Sequence, residues 1–387
     1  MSNPPVLIFS GRLLPSSETF IKAQADGLQD FVPYFAGARV IDGLPLPEQR
    51  TVVVNSGGYL GKIREFLFKQ AGYAPGFYQK LHKLEPTLIH AHFGVCGTLA
   101  LPIARELKIP LIVTFHGFDA SMSDEYARRN SLSTRVYLQR REHLKQEAHL
   151  FIAVSHFIKS RLVQQGFPED RIKVHYIGID TERFKADPSV ARQRKVLFVG
   201  RLVEKKGCRY LIEAMAKVQA ASPDVELLII GDGPLRLELE ALAEKSLKHY
   251  KFLGLQTPEQ VKHWMNQAQV LIAPSITTTD GDTEGLPMVI LEAQAMGLPV
   301  ISTVHAGIPE AILDGDTGFL VPEGDVNAIA QRIELLFYDS SYWNGLSFKG
   351  REFVCSNFDL QKQTRKLETI YQNISSDLIN PFNVRKS

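Results

Sequence analysis

The chain has 387 residues, 44 % of them hydrophobic and 22 % charged, the make-up of a globular protein with enough length for two domains of roughly 150 to 200 residues. Lys and Arg number 44 against 42 Asp and Glu, a formal net charge of +2. So weak a balance excludes a nucleic-acid binder held by bulk charge, and partners have to be argued from local sites.

In chain order, MSNPPVLIFSGRLL offers a short apolar run with neither a basic leader nor a small-residue cleavage site. No later apolar stretch reaches the roughly 18 to 20 residues that span a bilayer, so a cytoplasmic protein is expected. Strand-like runs then alternate with helical patterns, as in parallel sheets covered by helices. A first series comprises PVLIFSG at 5–11, TVVVNSG at 51–57, TLIHAHF at 87–93, PLIVTFHG at 110–117, LFIAVSHF at 150–157 and KVHYIGI at 173–179. The polar segment DTERFKADPSVARQRK interrupts it. A second series follows with KVLFVG at 195–200, VELLIIGDG at 225–233, YKFLGL at 250–255, VLIAPS at 270–275, PVISTV at 299–304 and GFLVP at 318–322. This pattern predicts an α/β chain of two doubly wound domains, 1–180 and 196–358, joined by a linker at 181–195. A C-terminal helical segment at 359–387 is long enough to pack back on the first domain. Doubly wound sheets take ligands beyond the carboxyl ends of their strands, and two of them face to face would leave a cleft for a small molecule. Cys96, Cys208 and Cys355 are odd in number and widely spaced, which fits neither a disulfide framework nor a zinc site; reduced structural thiols are expected.

The second series carries the sharpest chemistry. Its first strand ends in GRLVEKKG at 200–207, and a helix follows at once. Arg201 and Lys206 thus leave a strand end beside a helix N-terminus, where a guanidinium fork, an ammonium and unpaired N–H groups together suit an anion. GDGPLRLE at 231–238 lacks a Gly-Lys-Ser/Thr ending, so no P-loop is present. Further on, Glu292 interrupts an apolar run, eight positions after Glu284. A helix starting near Pro287 leaves Glu284 in the preceding loop and Glu292 about one and a half turns inside, with the two carboxylates spaced by roughly 8 to 12 Å. That is the reach of a sugar diphosphate, whose ribose and hexose hydroxyls suit carboxylate acceptors. A structural ion pair for Glu292 and a capping role for Glu284 are the competing explanations.

These stretches, with EGLPMVILEAQAMGLPVISTVHAGIPE and GDTGFLVPEGD, resemble the donor half of a retaining glycosyltransferase of family 4 (group 1) with the GT-B fold. SETFI at 17–21, HAHFG at 90–94, TFHGFD at 114–119 and VSHFIK at 154–159 extend the resemblance over most of the chain, nearest to bacterial transferases of exopolysaccharide, colanic-acid-type assembly. The resemblance implies two Rossmann-like domains facing across a cleft. Arg201 and Lys206 would bind the donor diphosphate and Glu292 the ribose. Glu284, with the backbone of Gly285, Leu286 and Pro287, would bind the donor sugar. His116 would reach the sugar's 6-hydroxyl and the reacting centre, and Asp119 would either orient His116 or meet an acceptor hydroxyl. The family's N-terminal glycine-rich loop is here SGRLLPSSE, with Gly11 as its one glycine and the residue expected at the diphosphate.

No cofactor and no metal are expected: HAH on one strand lacks a ligand spacing, and Arg201, Lys206 and the helix dipole suffice to neutralise a leaving diphosphate. The implied reaction moves a hexosyl group from a nucleotide sugar to a hydroxyl of a glycan or lipid-linked acceptor with retention. Same-face attack, with the leaving phosphate taking the proton, is favoured over a covalent adduct on Glu284. Aromatic and basic residues at 59–83 and 126–145 suit peripheral contact with anionic lipid on the inner face of a membrane, or belong to ordinary solvated helices. A nucleotide-sugar epimerase of the same architecture and a noncatalytic nucleotide-sugar binder are the rival functions; no nucleic acid is expected.

Overall fold

The strands form two all-parallel sheets, each with helices between successive strands. In the computed structural model, which describes residues 3–15, 17–279 and 281–379, the first sheet contains β1 (Pro5–Leu13), β2 (Val32–Val40), β3 (Thr51–Asn55), β4 (Leu88–His92), β5 (Leu111–Phe115), β6 (Leu150–Ala153) and β7 (Ile172–Val174). Their order is β3-β2-β1-β4-β5-β6-β7. The second sheet contains β8 (Lys195–Val199), β9 (Glu226–Ile230), β10 (Tyr250–Gly254), β11 (Val270–Ala273), β12 (Val300–Thr303) and β13 (Phe319–Val321), ordered β10-β9-β8-β11-β12-β13. Both are doubly wound, with the direction of strand addition reversing at β1/β4 and at β8/β11.

β2 lies inside the first sheet, yet its sequence VPYFAGARV does not read as a central strand because Pro33 cannot donate to a ladder. The register explains its tolerance. Val32 N–H donates to Pro4 on the β1 side, so Pro33 turns its missing donor toward β3. Pairing with β3 begins only at Phe35. No ladder bond is lost.

The chain divides into two units: one comprises the residues up to Gly178 together with Leu360 onward, the other Ile179–Asp359. In the first, the helix Leu360–Ile379 places Leu367, Ile370, Tyr371 and Ile374 on one face and buries them with Val6, Ile8, Ile21 and Phe31; this 3–4 spacing is that of an amphipathic helix. Glu368 fixes its position by accepting the backbone N–H groups of Gln29 and Asp30 at 2.5 and 2.6 Å. Of the expected C-terminal segment, 380–387 lies outside the described residues, as does Asp280.

The second unit has a core of Val196, Phe198, Leu211, Met215, Leu227, Ile229, Val270 and Ile272. With helices over both faces, its strands become unbroken apolar runs such as ELLII and VLIA. The segment at 181–195 packs onto this unit. Arg192 donates to the carbonyls of Met265 and Ala268 at 2.8 Å and of Met296 at 2.7 Å, satisfying groups left open at two helix ends.

Candidate active site

Five strand-end loops of the second unit converge, those after β8, β9, β11, β12 and β13. After β8, Gly200 and Leu202 donate to the carbonyls of Ile230 and Asp232 (3.0 and 2.9 Å), so the GRL and GDGP loops are stitched together. Gly231 has φ +134, and a Cβ there would fall 1.9 Å from the Gly200 carbonyl oxygen. Gly207, at φ +64, meets the Pro274 carbonyl equally closely and starts the helix Cys208–Ala221. Both positions demand glycine.

This framework holds the charged groups. Lys206 Nζ lies 2.8 Å from Glu284 Oε1, with side chains 20 % and 10 % exposed, and Lys205 Nζ lies 3.0 Å from Asp282 Oδ1. Burial pushes the Glu284 carboxyl up, but Lys206 and Lys205 overcome it and hold the group below its ordinary value. It is a carboxylate at neutral pH. Arg201 is exposed and forms no ion pair among the described residues. Gly285, Leu286 and Pro287 are buried beside Glu284, and Pro287 caps the helix Met288–Ala295.

Glu292 differs from Glu284. It is half-buried on that helix and forms no ion pair among the described residues. Burial pushes its carboxyl up to about 7, with Arg183 pulling the other way. A structural ion pair therefore does not account for its place in an apolar run.

His305 and Glu323, which sequence spacing did not single out, support Glu284 from behind. The backbone N–H of Glu284 donates to His305 Nε2 at 3.2 Å, and His305 Nδ1 lies 2.7 Å from Glu323 Oε1. Because a backbone N–H only donates, Nε2 is the acceptor and Nδ1 carries the proton given to Glu323. Glu323 also accepts from Thr277 N–H at 2.8 Å. Their one sequence signal is that each follows the end of a neighbouring strand, β12 or β13.

In the first unit, His116 follows β5 and joins a column of imidazoles. The His90 and His92 rings stack at 4.4 Å and those of His92 and His116 at 5.3 Å, with His92 Nδ1 3.1 Å from His116 Nε2. His90 is held by Tyr371 Oη at 2.5 Å and Thr114 Oγ1 at 2.6 Å. Burial, with His90 adding to it, holds His116 down at about 3, and burial lowers His90 and His92 well below their usual range. All three rings are neutral. His116 Nδ1 is buried and has no hydrogen-bond partner among the described residues.

Asp119 makes no hydrogen bond to the His116 ring among the described residues. Its carboxylate accepts the backbone N–H groups of Gly94 (2.8 Å), His116 (3.0 Å) and Gly117 (3.1 Å). Burial pushes it up to about 6 against these three donors. It holds the loop that carries His116. Gly11 is placed otherwise than in a loop: β1 continues through Leu13, and Gly11 N–H donates to Cys96 Sγ at 3.2 Å inside that strand. The apolar content of SGRLL extends the strand, and the turn begins only at Leu14, with φ 37.

The two aromatic-basic segments also differ from each other. On the helix Gly58–Ala71, Tyr59, Leu60 and Phe66 are 78 %, 67 % and 55 % exposed. In 126–145, Val136, Tyr137 and Leu144 are buried and Arg141 pairs with Asp124 at 2.8 Å, so that segment spends its apolar face on packing. Among the described residues no helix is long and apolar enough to cross a membrane, and no group of three or more His, Cys, Asp or Glu is disposed to hold a metal.

Two doubly wound sheets with charged groups at their strand ends define a class, and comparison with known proteins gives its family. The model of glycosyl transferases group 1 matches residues 193–339, and that of glycosyltransferase family 4 matches 39–183. The chain is 34 % identical to the putative colanic acid biosynthesis glycosyltransferase WcaL of Salmonella typhimurium, over 73 % of this chain and 70 % of that one. It is 36 % identical to the amylovoran biosynthesis glycosyltransferase AmsK of Erwinia amylovora, over 62 % of this chain and 58 % of that protein. Among solved structures, Anabaena HepE in complex with UDP and glucose superposes with a TM-score of 0.76 at 22 % identity, covering 96 % of this chain and 100 % of that one. Sucrose-phosphate synthase of Thermosynechococcus elongatus gives 0.77 at 21 %, with 96 % and 99 % covered. The chain belongs to the group 1, family 4 glycosyltransferases and has the GT-B fold.

Proposed function

We propose that the protein transfers a hexosyl group from a nucleotide diphosphate sugar to a hydroxyl of a glycan or lipid-linked acceptor, with retention and without a metal, in assembly of a bacterial surface polysaccharide. The observation that carries the donor half is an ionised, Lys206-bound Glu284 followed on the next helix by Glu292, which, like the exposed Arg201 after β8, forms no ion pair among the described residues. In this reading Glu292 accepts the ribose hydroxyls. Arg201 and Lys206 neutralise the diphosphate, and Glu284 with the backbone at 285–287 takes hydroxyls of the transferred sugar. Charge developing on the leaving diphosphate meets fixed cations at no reorganisation cost. The acceptor oxygen bonds to the anomeric carbon on the face where the sugar–phosphate bond breaks. Its proton passes to the departing phosphate oxygen, which receives the electron pair.

The first unit supplies His116, whose unpartnered Nδ1 is a neutral donor or acceptor for a sugar hydroxyl; Asp119 acts by positioning it. The names of WcaL and AmsK, which give colanic acid and amylovoran biosynthesis, support the assembly role. The exposed face of Gly58–Ala71, with Lys62 and Arg64 among its apolar residues, supports peripheral binding to anionic lipid at the cytoplasmic side.

The test is turnover of the full chain with a panel of nucleotide sugars and extracted lipid-linked glycans, beginning with UDP-glucose because HepE was crystallised with it. A sugar-extended acceptor with the donor's anomeric configuration is expected. Inverted product, a glycosyl adduct trapped on Glu284, or an epimerised donor formed without acceptor would each overturn the corresponding part.

A further inference from the structure

The SETFI motif has no part in the donor chemistry, yet Glu18 within it lines a cavity of about 520 Å³ in the first unit. The cavity opens beyond the carboxyl ends of β1, β2, β4 and β5, spanning the β1/β4 switch in strand order, where doubly wound sheets receive ligands. Its size is that of a small-molecule site, typically about 300 to 1,000 Å³.

Three features of its wall specify a ligand. The first is positive charge. Arg12, Arg39 and Lys69 all line it. Glu65 offsets part of this charge, 2.6 Å from Lys69 and 3.8 Å from Arg39, and the Asp119 carboxylate, which also lines the cavity, is taken up by the backbone N–H groups of Gly94, His116 and Gly117. Arg12 forms no ion pair among the described residues and presents an open guanidinium fork, suited to a carboxylate or phosphate. The second is Glu18. Its Oε2 is buried and lacks a hydrogen-bond partner among the described residues, and burial pushes the carboxyl up to about 7 against the pull of Arg12. A buried polar atom left unpaired is costly, so this one is set for a partner that the described residues do not supply. The third is aromatic. Phe93 and Phe118 give the cavity apolar walls, as a pyranose ring with its C–H face requires.

We propose that this cavity is the acceptor site of the transferase, and that it selects a sugar bearing one oxyanion. Arg12 binds the anion, Glu18 binds a hydroxyl, and Phe93 and Phe118 pack on the ring. The proposal takes the word acceptor from the transferase reading; the cavity and its preference stand on their own geometry. A carboxylate of a uronic acid and a phosphate of a sugar phosphate present the same chemistry, and the test separates them.

The full chain, without donor, is titrated with methyl β-glucuronoside, glucose 1-phosphate and the neutral methyl β-glucoside, followed by ligand-observed NMR. At least one anionic sugar is expected to bind about tenfold more tightly than the neutral one; whichever leads identifies the anion. Arg12→Gln should erase that preference, and Glu18→Ala should weaken all three. Circular dichroism confirms that each variant is folded, and Glu18→Gln replaces Glu18→Ala if the latter is not. Equal affinities for the three sugars, or a preference that survives Arg12→Gln, overturns the proposal. So does competition by inorganic phosphate equal to that of the sugar phosphate. A parallel titration of the wild type with nucleoside diphosphates keeps the readings apart: failure there sinks the donor assignment and leaves the sugar preference standing.

Discussion

Replacing Glu292 by Gln should stabilise the protein at alkaline pH while weakening its hold on a nucleotide. The carboxyl is pushed from its ordinary 4.5 up to about 7, chiefly by burial. The folded chain therefore keeps a proton that the unfolded chain has released between these values. Stability contributed by this group is whole below pH 4.5 and falls as pH rises to about 7. At about 1.4 kcal/mol for each pH unit between the two values, the loss reaches about 3.5 kcal/mol at most, and solvent on the exposed side brings it nearer 2. Glutamine has no such proton. The stability of Glu292→Gln minus that of the parent should thus rise by about 2–3 kcal/mol from pH 4.5 to 8, read by urea unfolding at each pH. Nucleoside diphosphate affinity should fall by about 10- to 100-fold, as for a lost charge-assisted hydrogen bond worth about 1.5–3 kcal/mol. A flat difference curve would refute the desolvation argument. Destabilisation at pH 8 would restore the structural ion pair.

Lys206→Met should destabilise the second unit by about 2–3 kcal/mol, because it strands the buried Glu284 carboxylate; the double variant with Glu284→Gln should recover most of that in the same urea titration. Gly231→Ala should cost about 3 kcal/mol or more in thermal unfolding, since φ +134 and the Gly200 carbonyl leave no room for a Cβ. His92→Phe keeps the ring stack but removes the bond to His116. It should lower kcat about tenfold with little change in KM for the donor, whereas equal changes in both would place His92 outside the positioning of His116.

Much of this architecture is legible in sequence because burial on both faces leaves a plain mark: ELLII, VLIA and LIVTF are strands with no polar face to offer. β2 is not legible. Pro33 argues against a strand, and only the late start of the β3 pairing, a fact of register, makes it harmless. At the site, the pacing of Glu284 and Glu292 is legible because both lie on one short loop-helix segment. The His305–Glu323 support is hidden, since its two residues come together only when β12 and β13 align. Gly11 misleads for a related reason: a lone glycine near a strand end suggests a loop, but the following Leu13 is a core residue that draws the strand onward. Asp119 is legible as important. Its partners, three backbone amides, are not, since any carboxylate beside a histidine reads equally well as the ring's partner.

The donor assignment is tested most directly at Arg201, which is exposed, pairs with nothing among the described residues and is free to be changed without disturbing the fold. Titration calorimetry with UDP and GDP should show the preferred nucleotide binding Arg201→Ala at least tenfold more weakly than the parent, with an unchanged unfolding temperature. Affinity within twofold of the parent would contradict the placement of the diphosphate at the end of β8.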